Sequence, residues 1–218
     1  MSDATWFRAS APAKINLYLE VLGLRADGHH EIRTWMMAVE PSDSVAARAT
    51  RGSGIALSLT GAQASPDIRA DETNLAWRAA QAVLDHGRAR GQVDTRAGLE
   101  LALEKNIPSG AGLGGASSDA AAAWIAAQAA LGFEVSISET QAGLERLGSD
   151  CAFFFQTART GFGRCEGRGE RVLEEVSPPT RWSVAILTPA VSASTAQVYA
   201  ALRIRLSAKP EVHSLPPA

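Results

Sequence analysis

The stretch from Lys105 to Ala123, KNIPSGAGLGGASSDAAAA, constrains this chain more than any other part of it. Glycines at that density let a backbone take positive φ and approach a ligand without interference from a Cβ. The abrupt change to an alanine-rich run predicts that the loop ends at a helix over residues 117–131, with Gly132 beyond it. Exposed N–H groups and the positive end of the helix dipole attract anions at such a junction. Two readings fit a glycine cluster here: a flexible loop ahead of a surface helix, or a cradle for phosphate. The order Pro108, Ser109, Gly110, Ala111, Gly112, Leu113, Gly114, Gly115, Ala116, Ser117, Ser118 favours the cradle. In that reading Ser117 and Ser118 cap the helix and offer hydroxyls to a phosphate or a metal ion. It is not a Walker loop, because no Gly-Lys-Ser/Thr follows the last glycine. Nor is it the dinucleotide fingerprint, which opens a βαβ unit and places an acidic residue about 20 positions on.

The 218 residues suit one large domain or two small ones sharing a sheet. An apolar content of 46% is enough for a core, and a net charge of −2 argues against a general binder of nucleic acid or membrane surfaces. No apolar run reaches the roughly 18 residues needed to cross a bilayer, and MSDATWFRAS lacks the basic-then-apolar order of a signal peptide. Cys151 and Cys165 make no disulfide framework, so reduced thiols in a cytoplasmic protein are the expectation.

Taken in order, Ile15, Leu17, Leu19 and Val21 alternate with Asn16, Tyr18 and Glu20, which predicts a strand with one face on a core. Lys14 and Asn16 then share the other face, either solvated or turned to a cleft. Asp27 and Gly28 signal a turn into a returning strand over residues 34–39. Residues 45–49 and 55–59 read as a hairpin joined through Arg51 to Gly54, and 61–71 as loop. A helix is expected over 74–86, capped by Asn74 and ended by Gly87. Leu99, Leu101 and Leu103 alternate in a strand that delivers Lys105, which either reaches phosphate or simply ends the strand. Another helix is expected over 138–147, with Ser138 and Gln141 as capping box and Gly148 as stop. Asp150 stands ahead of an apolar strand that begins at Cys151, so its carboxylate is carried inward; an ammonium nearby would keep it ionised, and Lys14 is the natural partner. Residues 161–173 read as a glycine-rich hairpin, 182–187 as a buried strand, and 195–202 as a helix capped by Ser194.

The glycine loop resembles the second signature of the GHMP kinases, the superfamily of galactokinase, homoserine kinase and mevalonate kinase. Upstream, Pro12, Ala13, Lys14, Asn16, Arg25, Asp27, Gly28 and His30 resemble the N-terminal signature of one branch, the 4-diphosphocytidyl-2-C-methyl-D-erythritol kinases. That signature runs Pro-Ala-Lys-hydrophobic-Asn, then Arg-x-Asp-Gly-Tyr-His, and His29 stands where the branch has tyrosine. Downstream, Gly148, Asp150, Phe153 and Phe154 resemble its Gly-x-Asp-Val-Pro-Phe-Phe, with Cys151 and Ala152 replacing Val-Pro. Thr195 and Tyr199 fall on a threonine and a closing aromatic.

The resemblance spans residue 11 to about residue 202 and implies an α+β GHMP kinase fold. An N-terminal domain like domain 2 of ribosomal protein S5 is expected over 1–155. The start of a ferredoxin-like domain is expected over 156–206 and a disordered tail over 207–218. Members of the branch continue to a third glycine-rich motif that helps hold the ATP phosphates, which this sequence does not show. The resemblance further implies ATP and Mg²⁺ on the 108–118 loop, the metal through Ser117 or Ser118, and Asp150 as catalytic base with Lys14 beside it. Asn16, His29, His30, Thr195 and Tyr199 would bind a small-molecule substrate, the histidines and the tyrosine at its cytosine ring. A catalytically impaired nucleotide-binding relative, or another GHMP small-molecule kinase, is the alternative.

Overall fold

The structure is a computed structural model that describes residues 5–178, 180, 182–188 and 198. Among them the order is β1 (Phe7–Leu24), β2 (His30–Thr50), β3 (Gly54–Thr60), α1 (Leu75–Ala89) and β4 (Gly98–Glu104). There follow α2 (Gly115–Leu131), α3 (Ile137–Leu147), α4 (Cys151–Gln156), β5 (Phe162–Gly167) and β6 (Arg171–Glu175). The strands form one sheet in the order β3-β4-β2-β5-β6, with β1 also paired to β2. The long β2 organises it. One edge carries β1 along its length, while the other is shared by β4 against residues 44–50 and β5 against residues 32–37.

Leu99, Leu101 and Leu103 are buried as their alternation predicts, facing a core with Val45, Ala47 and the small side chains of α1 and α2. Helix α2 is apolar nearly all round, which suits a helix enclosed by the sheet and its neighbours; Ala120 to Ala123 and Trp124 are all buried. Helix α3 approaches so closely that a Cβ on Gly143 would lie 2.3 Å from the Trp124 ring.

The structure corrects several local expectations. Residues 45–49 and 55–59 are not a hairpin, because β4 lies between them, antiparallel to β2 and parallel to β3. The connection crosses over the start of β4, where a Cβ on Gly98 would lie 1.9 Å from the Gly52 carbonyl. Leu17 and Leu19 are exposed rather than buried. Leu17 is an extra residue between the pairs Asn16–Met36 and Tyr18–Trp35, and Leu22 is a second between Val21–Ile32 and Gly23–Glu31. A β-bulge of this kind shifts the alternation by one and exchanges faces.

Helix α1 runs through Gly87, which is buried against Val93 and Phe133, and ends two residues later. The capping box of α3 is Ser136 with Glu139, two residues upstream of the expected one: the Ser136 hydroxyl accepts from the Glu139 N–H and donates to its carboxylate. The apolar run after Asp150 is the short helix α4, with Cys151 to Phe154 all buried. Periodicity alone does not separate a short buried strand from a short buried helix. Residues 182–187 carry no strand pairing, and Trp182, Val184 and Leu187 are exposed. The helix expected over 195–202 lies outside the described residues, apart from Val198.

Asn74 does cap α1, its side chain accepting from the Ala76 N–H at 2.9 Å. Asn74→Ala is expected to cost about 1 kcal/mol, read as a lower urea midpoint at unchanged slope.

Candidate active site

The site forms where the middle of β1 and the end of β4 meet the start of α2. Strand β4 hands over at Lys105 to a loop in which Gly110, Gly112 and Gly114 all stand at φ near +70° (71°, 73° and 71°). Gly114 shows why that composition is needed. It is the N-cap of α2, and a Cβ there would lie 2.9 Å from the Lys14 side chain and 3.2 Å from Phe154. Helix α2 therefore starts two residues before Ser117, and neither serine caps it. A cavity of about 380 Å³ opens over the loop. Pro108 to Ser117 line it, with Lys105, Asp119 and the 67–75 segment around Arg69 and Asn74.

Lys14 ties this loop to the rest of the site. Its backbone N–H donates to the Leu113 carbonyl at 2.8 Å. Its ammonium donates to Asn16 Oδ1 at 2.7 Å and stands 3.6 Å from Asp150 Oδ2. The Asn16 amide donates in turn to Thr34 Oγ1, which donates to the Tyr18 carbonyl, each at 2.7 Å. Spacing of two residues on a strand, ahead of the bulge at Leu17, is what lets Lys14 and Asn16 meet on one face. Asp150 precedes α4 without capping it, so its carboxylate is left to face Lys14. Gly169, in the turn between β5 and β6, comes close to Asp150: a Cβ there would lie 3.3 Å from Oδ1. Lys14, Asn16, Asp150 and the glycine loop thus come together.

Other expected residues lie elsewhere. His29 is exposed at the tip of the β1–β2 hairpin, its N–H donating to Asp27 Oδ1 at 3.0 Å. His30 begins β2, six residues before Met36, the partner of Asn16; that is about 20 Å of strand. Thr195 and Tyr199 lie outside the described residues. The Ser117 hydroxyl bonds to Cys151, whose thiol burial pushes up to about 11. Among the described residues the Ser118 hydroxyl is buried without a hydrogen-bond partner and does not line the cavity. No group of three or more His, Cys, Asp or Glu side chains is placed to hold a metal ion among the described residues.

Beneath the loop lies a charge cluster that the sequence did not announce. The Lys105 ammonium is buried between the carboxylates of Asp43 and Asp119. Asp43 also accepts from the backbone N–H groups of Asn106 and of Ile107, the latter at 2.8 Å, so β2 anchors the first residues of the loop. Among the described residues Asp119 has only Lys105 as a hydrogen-bond donor, and its Oδ1 has no partner. Burial pushes its carboxyl up from 3.8 to about 7, against the pull of Lys105 and with the push of Asp43. A signal for it was present: Asp119 is the one carboxylate in a run of small residues.

A carboxyl raised on folding stabilises fully below its unfolded value, and that contribution is lost as pH rises through its folded value. The chain is thus expected to lose stability relative to Asp119→Asn between about pH 4 and pH 7. The difference, on the order of a few kcal/mol, is measurable by urea unfolding at each pH.

Comparison with known proteins places this geometry. The model of the GHMP kinases N terminal domain matches residues 74–161. The 4-diphosphocytidyl-2-C-methyl-D-erythritol kinase of Pelotomaculum thermopropionicum is 40% identical over 92% of this chain and 65% of its own. That of Desulfotalea psychrophila is 35% identical over 98% of this chain and 68% of its own. The chain spans about two thirds of the length of these curated relatives. A crystal structure of 4-(cytidine 5'-diphospho)-2C-methyl-D-erythritol kinase superposes with a TM-score of 0.61 at 35% identity, over 79% of this chain and 56% of that one. Homoserine kinase from Cytophaga hutchinsonii, at 16% identity and TM-score 0.61, shares the fold. The α+β GHMP kinase fold is therefore the fold of this chain.

Proposed function

We propose a function from one premise: this chain belongs to the 4-diphosphocytidyl-2-C-methyl-D-erythritol kinase family. It transfers the γ-phosphoryl group of ATP to the 2-hydroxyl of 4-diphosphocytidyl-2-C-methyl-D-erythritol, a step of the non-mevalonate route to isoprenoid precursors. The observation that carries this reading is the position of Lys14, bonded through its backbone to the glycine loop and through its side chain to Asn16 beside Asp150.

Phosphoryl transfer asks a protein for positioning and charge stabilisation more than for covalent chemistry. The loop from Pro108 to Ser118, with its glycines and the N-terminus of α2, suits a triphosphate. Mg²⁺ enters as part of the nucleotide substrate, where it neutralises phosphate charge. Asp150 accepts the proton of the attacking hydroxyl, and Lys14, held by Asn16, orients that carboxylate and stabilises charge in transit. His29 and His30 take the cytosine end, with Thr195 and Tyr199 closing over it. The strand length between Asn16 and His30 favours a long acceptor, whose base and reacting hydroxyl are joined through a diphosphate. In this reading the catalytic machinery is carried by residues 1–155.

The test is ADP release from ATP and Mg²⁺ by the purified chain, with and without the cytidylylated substrate, and with homoserine or mevalonate in its place. Release that needs the cytidylylated substrate is expected. A folded chain that releases none, or that responds to homoserine or mevalonate instead, overturns the reading.

A further inference from the structure

The bonds that hold Lys14 do not end at Asn16. An asparagine side chain presents a carbonyl oxygen on one side and an NH2 group on the other, nearly equal in size and opposite in polarity. Turned over, Asn16 would set its NH2 group against the Lys14 ammonium, donor against donor. What fixes its sense lies behind it. Thr34 Oγ1 donates to the Tyr18 carbonyl at 2.7 Å and accepts from Asn16 Nδ2 at 2.7 Å. A backbone carbonyl can only accept, so the hydroxyl proton is committed to Tyr18 and its lone pairs are left to the amide. Asn16 Oδ1 then faces the ammonium, which it holds at 2.7 Å.

Resting on the functional reading above, we propose that Thr34 is a positioning residue for the phosphoryl transfer: its hydroxyl fixes the sense of the Asn16 amide and, through it, the distance between Lys14 and the carboxylate of Asp150.

The strands place Thr34 for this role. Asn16 pairs with Met36, and Thr34, two residues before Met36, shares its face and lies diagonally across from Asn16. The extra residue Leu17 interrupts the ladder between these positions, next to the Tyr18 carbonyl that receives the hydroxyl. On its other side Thr34 pairs with Cys165 of β5 and is 0% exposed, so solvent cannot stand in for either partner. Ile32 and Met36 flank it on that face. A Cβ on Gly169 would lie 3.9 Å from each of them and 3.3 Å from Asp150 Oδ1, so the row that includes Thr34 runs close to the carboxylate. The Lys14 ammonium, held by Asn16, stands 3.6 Å from Asp150 Oδ2, outside hydrogen-bond reach. Released from Asn16, it would close on that oxygen and occupy a lone pair that the attacking hydroxyl needs.

The experiment is substrate-dependent ADP release by the whole chain, with ADP affinity measured beside it, for wild type, Thr34→Val, Thr34→Ser, Asn16→Ala and the double variant Asn16→Ala with Thr34→Val. Valine keeps the shape and removes the hydroxyl; serine keeps the hydroxyl and removes the methyl. Thr34→Val is expected to lower kcat by about 10- to 100-fold. ADP Kd should be preserved, because Thr34 does not line the cavity over the glycine loop. Thr34→Ser is expected to recover most of the lost turnover. In the Asn16→Ala chain, Thr34→Val should cost less than about twofold further, because the link it acts through is gone. Equal losses in both backgrounds, a serine variant as slow as the valine one, or a valine variant as fast as wild type overturns the proposal and leaves the kinase reading standing. Should Thr34→Val not fold, Thr34→Cys, whose thiol is a weak donor and acceptor, replaces it with the same expected loss. A folded wild type that releases no ADP overturns both.

Discussion

Exchanging Asp150 for asparagine is expected to lower substrate-dependent ADP release by about 10²–10⁴-fold, the usual contribution of a positioned general base. The substitution keeps the side chain's shape and removes only its capacity to accept the hydroxyl proton. Its contact with Lys14 Nζ, 3.6 Å away, weakens from an ion pair to at best a dipole contact. Because Asp150 does not line the cavity over the glycine loop, ADP affinity should change little. The expected signature is a lost kcat with nucleotide Kd preserved. Unchanged turnover would remove Asp150 from the chemistry; a comparable loss of ADP affinity would make its role one of shaping the loop.

The largest effect on stability is expected at Lys105. Lys105→Met keeps most of the volume and deletes the charge, leaving the carboxylates of Asp43 and Asp119 facing each other with side chains 0% and 4% exposed. Breaking a buried ion pair from one side typically costs about 3–5 kcal/mol, against a whole-domain stability of about 5–15 kcal/mol. The loss should be smaller in mildly acidic buffer, where Asp119 accepts a proton more readily, and larger at alkaline pH. A cost below about 1 kcal/mol at all pH values would mean that water reaches the cluster freely.

How far the sequence led depended on whether a feature was local. The Asn74 cap, the three alternating leucines of β4 and the glycines before α2 are each written within a few residues, and each folds as read. Lys14 and Asp150 lie 136 positions apart, and what drew them together on paper was a family resemblance rather than any pattern in the residues. The crossing of β4 between β2 and β3 depends on a pairing made after an intervening helix, which two neighbouring strands and a glycine turn cannot reveal. Asp43, 62 residues from Lys105, carried no local mark at all.

The two single-residue extras in β1 add up in an instructive way. Each one advances the strand by half a period of its two-sided alternation, so Leu17 inverts the phase and Leu22 restores it. The hairpin tip that carries Asp27 and His29 is thus in step with Lys14 despite an interruption between them. Removing either leucine alone would turn the tip to the wrong side of the sheet relative to the lysine, whereas removing both would shorten the arm and keep its sense. The reach of the hairpin and the side it addresses are therefore set separately, the first by length and the second by parity.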